Sequence, residues 1–401
     1  MHLAVGVVVG LAVLVMSATG TALAFQRQIL DWSASRHMAA PAAGAERLPL
    51  DTLLARARAE LPIDQNVSSV TVKPDLTAPV TLGLAARRYA FVDPYTGHVL
   101  PASQGLQTFY FEMERWHRAL GMGEGLRGKP GVSISGASNL GFLFLILSGV
   151  ALWFPRRLSW RAFRAVLLFE RRASGRRRDW NWHHVLGIWT APVLVLLVLS
   201  GVFISYQWPT ALLERAFGEA PPAAASSGAA SSGAASSGAA GAGAAGARGA
   251  GASGPARGAG TGGGTAPVAL GISLDTVHAA AAAHTAGWQS VQIRLPRSAE
   301  APITASVSTT TSVRPDQRVA LSFHPTSAAM SVEPGYVSLG TARKLRGWVR
   351  GVHTGEAAGA AGQALAAIAC LAAVVLVWTG IALAWRRFLR AVRPPRRYGV
   401  A

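Results

Sequence analysis

Acidic residues and cysteine are what this chain has least of. There are 19 Asp and Glu against 38 Lys and Arg, a formal net charge of +19, and a single cysteine, Cys370. One cysteine supplies neither an intrachain disulfide nor a Cys-based zinc or iron–sulfur site. No Cys-x-x-Cys-His occurs, which excludes covalent c-type haem. Cys370 reads as a small core residue. A dinucleotide fingerprint, a phosphate loop and a triad arrangement are also missing, so the chain has no flavin or nicotinamide domain of its own. Charged residues are only 14% of the chain and hydrophobic ones 50%, the balance of a membrane protein.

A bilayer core about 30 Å thick needs about 20 apolar residues per helix. Four segments qualify, at 1–25, 136–155, 183–206 and 357–385. The segment 156–182 carries nine arginines from Arg156 to Arg178 against Glu170 and Asp179, and the tail 386–401 carries Arg386, Arg387, Arg390, Arg393, Arg396 and Arg397 with no acid. Both segments are therefore expected on the cytoplasmic side, which puts both termini there and residues 26–135 and 207–356 outside. Because the arginines flank apolar helices, topology explains the basic charge more simply than nucleic-acid binding. Ala22-Leu23-Ala24 resembles a signal cleavage site, but no Lys or Arg precedes Arg27. Without a positive n-region, the first run is expected to be a retained helix.

Four histidines stand where the apolar segments begin. His2 and His183 open the first and third, and His117 and His353 precede the second and fourth. An ionisable residue at a membrane boundary is rare and needs a partner. Topology places His2 with His183 near the cytoplasm and His117 with His353 on the outer side. That is the requirement of two bis-imidazole haems b, one per leaflet. No Met or Cys stands at a corresponding position. Taken singly, each histidine reads as an amphipathic residue of the interfacial belt. Four in the same relation to repeated helices shift the balance to ligands. His117 precedes its span by the Gly-rich stretch Gly121–Gly136, which is expected to leave the outer site near the interface or to fold back over it.

The chain repeats itself. His2 is followed eighteen residues later by Gly20 in Thr19-Gly20, and His183 by Gly201 in Ser200-Gly201. The second span ends with Ser148-Gly149 and Trp153, the fourth with Thr379-Gly380 and Trp385. The small pairs allow close helix approach and the tryptophans suit the interface. The outer regions repeat as well. Residues 48–105 predict a helix at Leu50–Leu61, strands at Ser69–Val72, Val80–Leu84 and Tyr89–Val92, and a turn at Asp93-Pro94-Tyr95-Thr96-Gly97 leading to Val99-Leu100. Residues 268–335 predict a helix at Leu274–Ala283, strands at Ser290–Leu295, Ile303–Ser308 and Val319–Phe323, and then His324-Pro325-Thr326-Ser327. Each is a small α+β unit, marginal in stability by itself. Between them, residues 221–267 are Ala, Gly and Ser repeats that cannot bury enough surface to fold and read as a disordered linker. The segments 106–135 and 343–356 connect the outer units to the second and fourth spans.

Residues Leu50–Leu100, with the Val-Asp-Pro-Tyr-Thr-Gly turn, resemble a PepSY domain. Trp116-His117-Arg118, Ser148-Gly149 through Arg157, Trp182-His183 to Gly187 and His353-Thr354-Gly355-Glu356 resemble the PepSY-associated transmembrane family. The resemblance implies an α-helical integral membrane protein with four transmembrane helices and two small periplasmic α+β PepSY-like domains, built by internal duplication. It also implies the bacterial inner membrane, membrane lipid as surroundings, and two b-type haems held by His2/His183 and His117/His353. The reaction implied is reduction of a ferric siderophore by an external donor, quinol or a flavoprotein, with no role for nucleic acid. Two departures stand out. His184 follows His183, but the His-x-x-Leu-Gly spacing fits His183, and His184 lies about 100° further round the helix. His324-Pro325-Thr326-Ser327 replaces the usual acidic-Pro-x-Thr-Gly turn.

Arg118, Arg346 and Arg350 flank the outer histidines and are candidate partners of haem propionates, with solvated interface arginines as the plainer reading. Glu124 and Glu356 are candidates to orient an imidazole or to meet substrate, with an ordinary surface role as the plainer reading. His37, His98, His278, His284 and His324 have no metal-type spacing and read as surface residues. Two rival functions remain at this point: a metal transporter or binding protein using the four histidines, and a haem-free regulatory or scaffold protein.

Overall fold

The computed structural model describes residues 1–392 except 40, 42–43, 63–64, 85–87, 102–103, 123–129, 155–158 and 220–269. The expected linker, Glu124, Arg156, Arg157 and residues 393–401 lie outside the described residues. The chain divides into two compact units, Met1–Gln26 with Tyr110–Ala216 and Trp348–Ala401, and Arg27–Phe109 with Phe217–Gly347.

The first unit is a helical bundle. Its long helices are α1 (His2–Leu23), α5 (Pro130–Trp153), α7 (Gly175–Ser205) and α11 (Gly359–Val392). Each is long and apolar enough to cross a bilayer. They close a ring in the order α1, α5, α7, α11. Small residues set the close approaches. A Cβ built on Gly10 would lie 3.7 Å from Val377, and one on Gly141 2.9 Å from Val9, the packing expected where lipid removes the hydrophobic drive. Ile146, Leu194, Val198, Ala369 and Ala373 fill the interior. At one end Asp179, 2% exposed, ties α7 to α11: it accepts from Arg386 at 2.6 Å and from Arg178 at 3.0 Å.

Shorter helices complete this unit. They are α4 (Gln104–Ala119), α6 (Trp160–Leu167), α8 (Trp208–Ala216) and α10 (Thr341–Thr354), with α4 and α10 each entering from the second unit. Helix α5 starts six residues before the expected 136. Its first turn packs on the end of α4, where Ser135 Oγ donates to Arg118 O at 2.7 Å. A Cβ on Gly131 would sit 2.1 Å from Ala119 O, so this crossing admits glycine alone.

The second unit holds α3 (Leu50–Glu60), α9 (Leu274–His284) and seven strands: β1 (Val67–Val72), β2 (Val80–Leu84), β3 (Tyr89–Val92), β4 (Ser290–Arg294), β5 (Ile303–Ser308), β6 (Arg318–Phe323) and β7 (Met330–Val332). Helix α2 (Gln26–Ser35) begins at the boundary of the first. Helices α3 and α9 and the first six strands fall within about two residues of the sequence expectation, and α2 and β7 are additional. The two expected α+β units do not form separate sheets. The strands make one antiparallel sheet in the order β3-β2-β1-β4-β5-β6-β7, joined at β1–β4 with Val70 opposite Ile293 and Thr71 opposite Gln292. Alternation explains the union. Val70, Leu82, Val291, Ile293, Ala305 and Leu321 all point to one face and share one core with Leu53, Leu54 and Val277. Pairing β1 with β4 also removes two bare edges.

The helices cap each other. Leu50 N donates to Asp275 Oδ1 at 2.8 Å, and Leu274 N donates to Asp51 Oδ2 at 3.0 Å. Each carboxylate thereby satisfies an orphan N–H at the positive end of the other helix. The turn after β3 uses Asp93 Oδ1 to accept from Tyr95 N at 2.8 Å and Thr96 N at 3.3 Å, and Gly97 closes it with φ +77°. In the second copy His324 Nδ1 accepts from Thr326 N and Ser327 N, both at 3.3 Å, so the diverged sequence keeps the turn. Ala328 takes the place of Gly97 and is held at φ 55°. That conformation costs a non-glycine residue about 1–2 kcal/mol, against roughly 0.5–1 kcal/mol of glycine's extra unfolded-state entropy. Ala328→Gly is therefore expected to raise the unfolding temperature, by a net gain of about 0.5–1 kcal/mol. An unchanged or lower temperature would reject this account of the turn.

Candidate functional site

The four boundary histidines all lie in the bundle unit, and all four are seated alike. Nδ1 of His2 is 2.8 Å from Ser148 Oγ on α5, and Nδ1 of His183 is 3.0 Å from Thr379 Oγ1 on α11. Nδ1 of His117 is 3.2 Å from Thr19 Oγ1 on α1, and Nδ1 of His353 is 3.2 Å from Ser200 Oγ on α7. In each case the glycine after the hydroxyl residue makes room for the ring. A Cβ built on Gly149, Gly380, Gly20 or Gly201 would lie 3.4, 3.4, 3.3 or 3.3 Å from the imidazole Cε1. The Ser/Thr-Gly pairs thus seat the histidines as well as letting helices approach, a contact to which the His-to-Gly spacing in the sequence points.

The seats fall at two ends of the bundle. His2 and Thr19, like His183 and Ser200, are seventeen residues apart on one helix, about 26 Å of rise. His2 and His183 are seated toward one end, against Ser148 of α5 and Thr379 of α11. His117 and His353 share the other, with ring centres 6.1 Å apart and planes at 58°. These two are carried by the amphipathic α4 and α10, which lay in segments the sequence reading left as connections. Their signal was present: Leu106, Phe109, Tyr110 and Met113, and Ala342, Leu345, Trp348, Val349 and Val352, recur at helical spacing. Burial holds the His117 imidazole well below its ordinary range, to about 4, and the neighbouring His353 adds to the effect. Burial lowers His353 too. Both are therefore neutral, the form that ligates a metal.

His184 is oriented differently from His183. Its Nδ1 donates to Trp180 O at 2.8 Å and its ring lies 4.1 Å from that of Trp180 on its own helix. Arg118 pairs with Glu114 at 3.4 Å. Arg350 stands one turn before His353 on α10, and Arg346 falls in the second unit. Glu356 accepts from Thr354 Oγ1 at 2.9 Å. His278 departs from its expected surface role: its Nε2 is buried, and its ring packs edge-on to Trp288 at 5.5 Å. Cys370 approaches the His117 seat, its Sγ 3.4 Å from a Cβ on Gly20, while Asn139 occupies the matching place beside Gly201.

The residues at the His117–His353 end fit a haem. Every Nδ1 is engaged, and no hydrogen bond among the described residues uses any of the four Nε2 atoms. Two imidazoles ligating one metal from opposite sides at about 2 Å per nitrogen have ring centres roughly 6 Å apart, which is the separation of His117 and His353. Among the described residues no three His, Cys, Asp or Glu side chains converge as a metal site.

Four long apolar helices make this a multi-pass membrane protein. The chain belongs to the family described as the PepSY-associated TM region, which matches residues 1–387. No curated protein matches it.

Proposed function

We propose that this protein is a di-haem b-type cytochrome of the bacterial inner membrane, passing electrons from the cytoplasmic or quinone side to a ferric siderophore in the periplasm. The observation that carries the reading is the repeated seat: four neutral-capable imidazoles, each anchored through Nδ1, each with Nε2 unengaged, in two sets about 26 Å apart along the helices. Haem b, when bound, supplies reversible one-electron transfer at each end. His2 with His183 would hold the inner group and His117 with His353 the outer one. Arg118 and Arg350 are candidate partners for the outer propionates. The seats fix the ligands; no acid–base step is required of the chain. In this reading the fused sheet is a pair of PepSY-like domains on the periplasmic side, and quinol or a flavoprotein supplies the electrons.

The rival using the histidines as a metal-transport site lacks a three-ligand cluster among the described residues. No observation specifically favours a haem-free scaffold. Protein purified from haem-replete cells is expected to carry close to two non-covalent haems, low-spin in both oxidation states and extractable by acidified solvent. A colourless preparation would end the di-haem reading.

A further inference from the structure

The four seats share a chemical constraint. A serine or threonine hydroxyl has one proton to give. In every seat that proton is committed to a carbonyl one turn back on its own helix: Ser148 Oγ donates to Phe144 O at 2.6 Å, Thr379 Oγ1 to Val375 O at 2.8 Å, Thr19 Oγ1 to Val15 O at 2.7 Å and Ser200 Oγ to Leu196 O at 2.7 Å. The oxygen facing the histidine is left to accept, so Nδ1 must carry the hydrogen. The tautomer is then fixed, with the Nε2 lone pair directed away from the seat.

The seats differ in what else can accept that hydrogen. His117 Nδ1 donates to Met16 O at 2.9 Å and His353 Nδ1 to Leu197 O at 2.9 Å, both closer than the hydroxyls. His183 Nδ1 lies 3.0 Å from Thr379 Oγ1. For His2, Ser148 Oγ at 2.8 Å is the sole acceptor among the described residues.

Resting on the di-haem reading for its redox consequence, we propose that Ser148 is a positioning residue for His2: its hydroxyl alone holds the Nδ1–H tautomer that presents Nε2 to a haem iron, whereas at the His117 and His353 seats a backbone carbonyl shares that task. A ligand imidazole that donates its second N–H is the more basic ligand. It favours the ferric state, so loss of the acceptor raises the potential of that haem.

The experiment uses the full chain in nanodiscs as wild type, Ser148→Ala, Ser148→Thr and Thr19→Ala. In haem-free protein labelled with ¹⁵N-histidine, wild-type His2 should show a protonated Nδ1. Ser148→Ala should populate both tautomers, Ser148→Thr should restore the wild-type signal, and Thr19→Ala should leave His117 protonated at Nδ1. In haem-loaded protein, Ser148→Ala should raise one of two midpoint potentials and leave the other in place, with Ser148→Thr again restoring it. If His2 keeps a single Nδ1–H form in Ser148→Ala, or if neither potential moves, the assignment of Ser148 is overturned. Wild-type protein that shows the expected tautomer and yet binds no haem would uphold the seat and remove the cytochrome reading instead.

Discussion

Under the proposed di-haem function, replacing His353 with alanine is expected to lower the haem content from two per chain to one and to abolish reduction of a ferric chelate on the far side of the membrane. His353 brings its ring centre to 6.1 Å from that of His117. Loss of either ring removes one axial position, so His117→Ala should behave in the same way. The remaining haem, held by His2 and His183, should still be reduced from the donor side. Stopped-flow absorption in oriented vesicles, with an impermeant ferric chelate outside, reads both events. Chelate reduction at the wild-type rate in these variants would show that electrons do not leave through the His117–His353 end.

Gly201→Leu should reproduce that loss with every histidine intact. A Cβ at 201 would lie 2.9 Å from Asn139 Nδ2 and 3.3 Å from His353 Cε1, and the remaining leucine atoms extend into the space of the ring. Overpacking of this kind costs about 1–3 kcal/mol, and displacing the imidazole relieves it. The expected result is one haem per folded chain, with the His2–His183 haem unaltered. Gly187→Ala, whose nearest neighbour is Leu376 at 3.8 Å, should retain both. Two haems in Gly201→Leu would mean that the glycine does not shape the seat.

Much of this was legible in the sequence because it depends on composition and period. The four spans follow from length and apolarity, and the strands from alternation, with Val80–Leu84 and Ile303–Ser308 found as expected. The boundary histidines announced themselves by being ionisable at the start of apolar runs. What stayed hidden depends on contacts between distant segments. Nothing local to Val67–Val72 or Ser290–Arg294 says that they pair with each other; that follows from two half-sheets each needing a partner for an edge. Likewise, Ser148 and Thr19 show only small polar side chains within apolar helices. Their role appears when a histidine from another helix is found against them. The start of α5 was misplaced because Pro130–Ser135 is polar and glycine-rich, and its helix is held by the end of α4 rather than by apolarity.

The β1–β4 seam has a consequence for how this molecule could have arisen and diversified. Equivalent strands meet antiparallel, and equivalent helices exchange equivalent carboxylates, which is the signature of an isologous contact between identical subunits. A chain half this length would make the same contact with a second copy of itself. Within one polypeptide the two halves need not stay identical. They differ at corresponding positions: Asp93 and His324, Gly97 and Ala328, Asn139 and Cys370. A symmetric ancestor would have been confined to two identical ends; a fused one is free to make its two ends unlike.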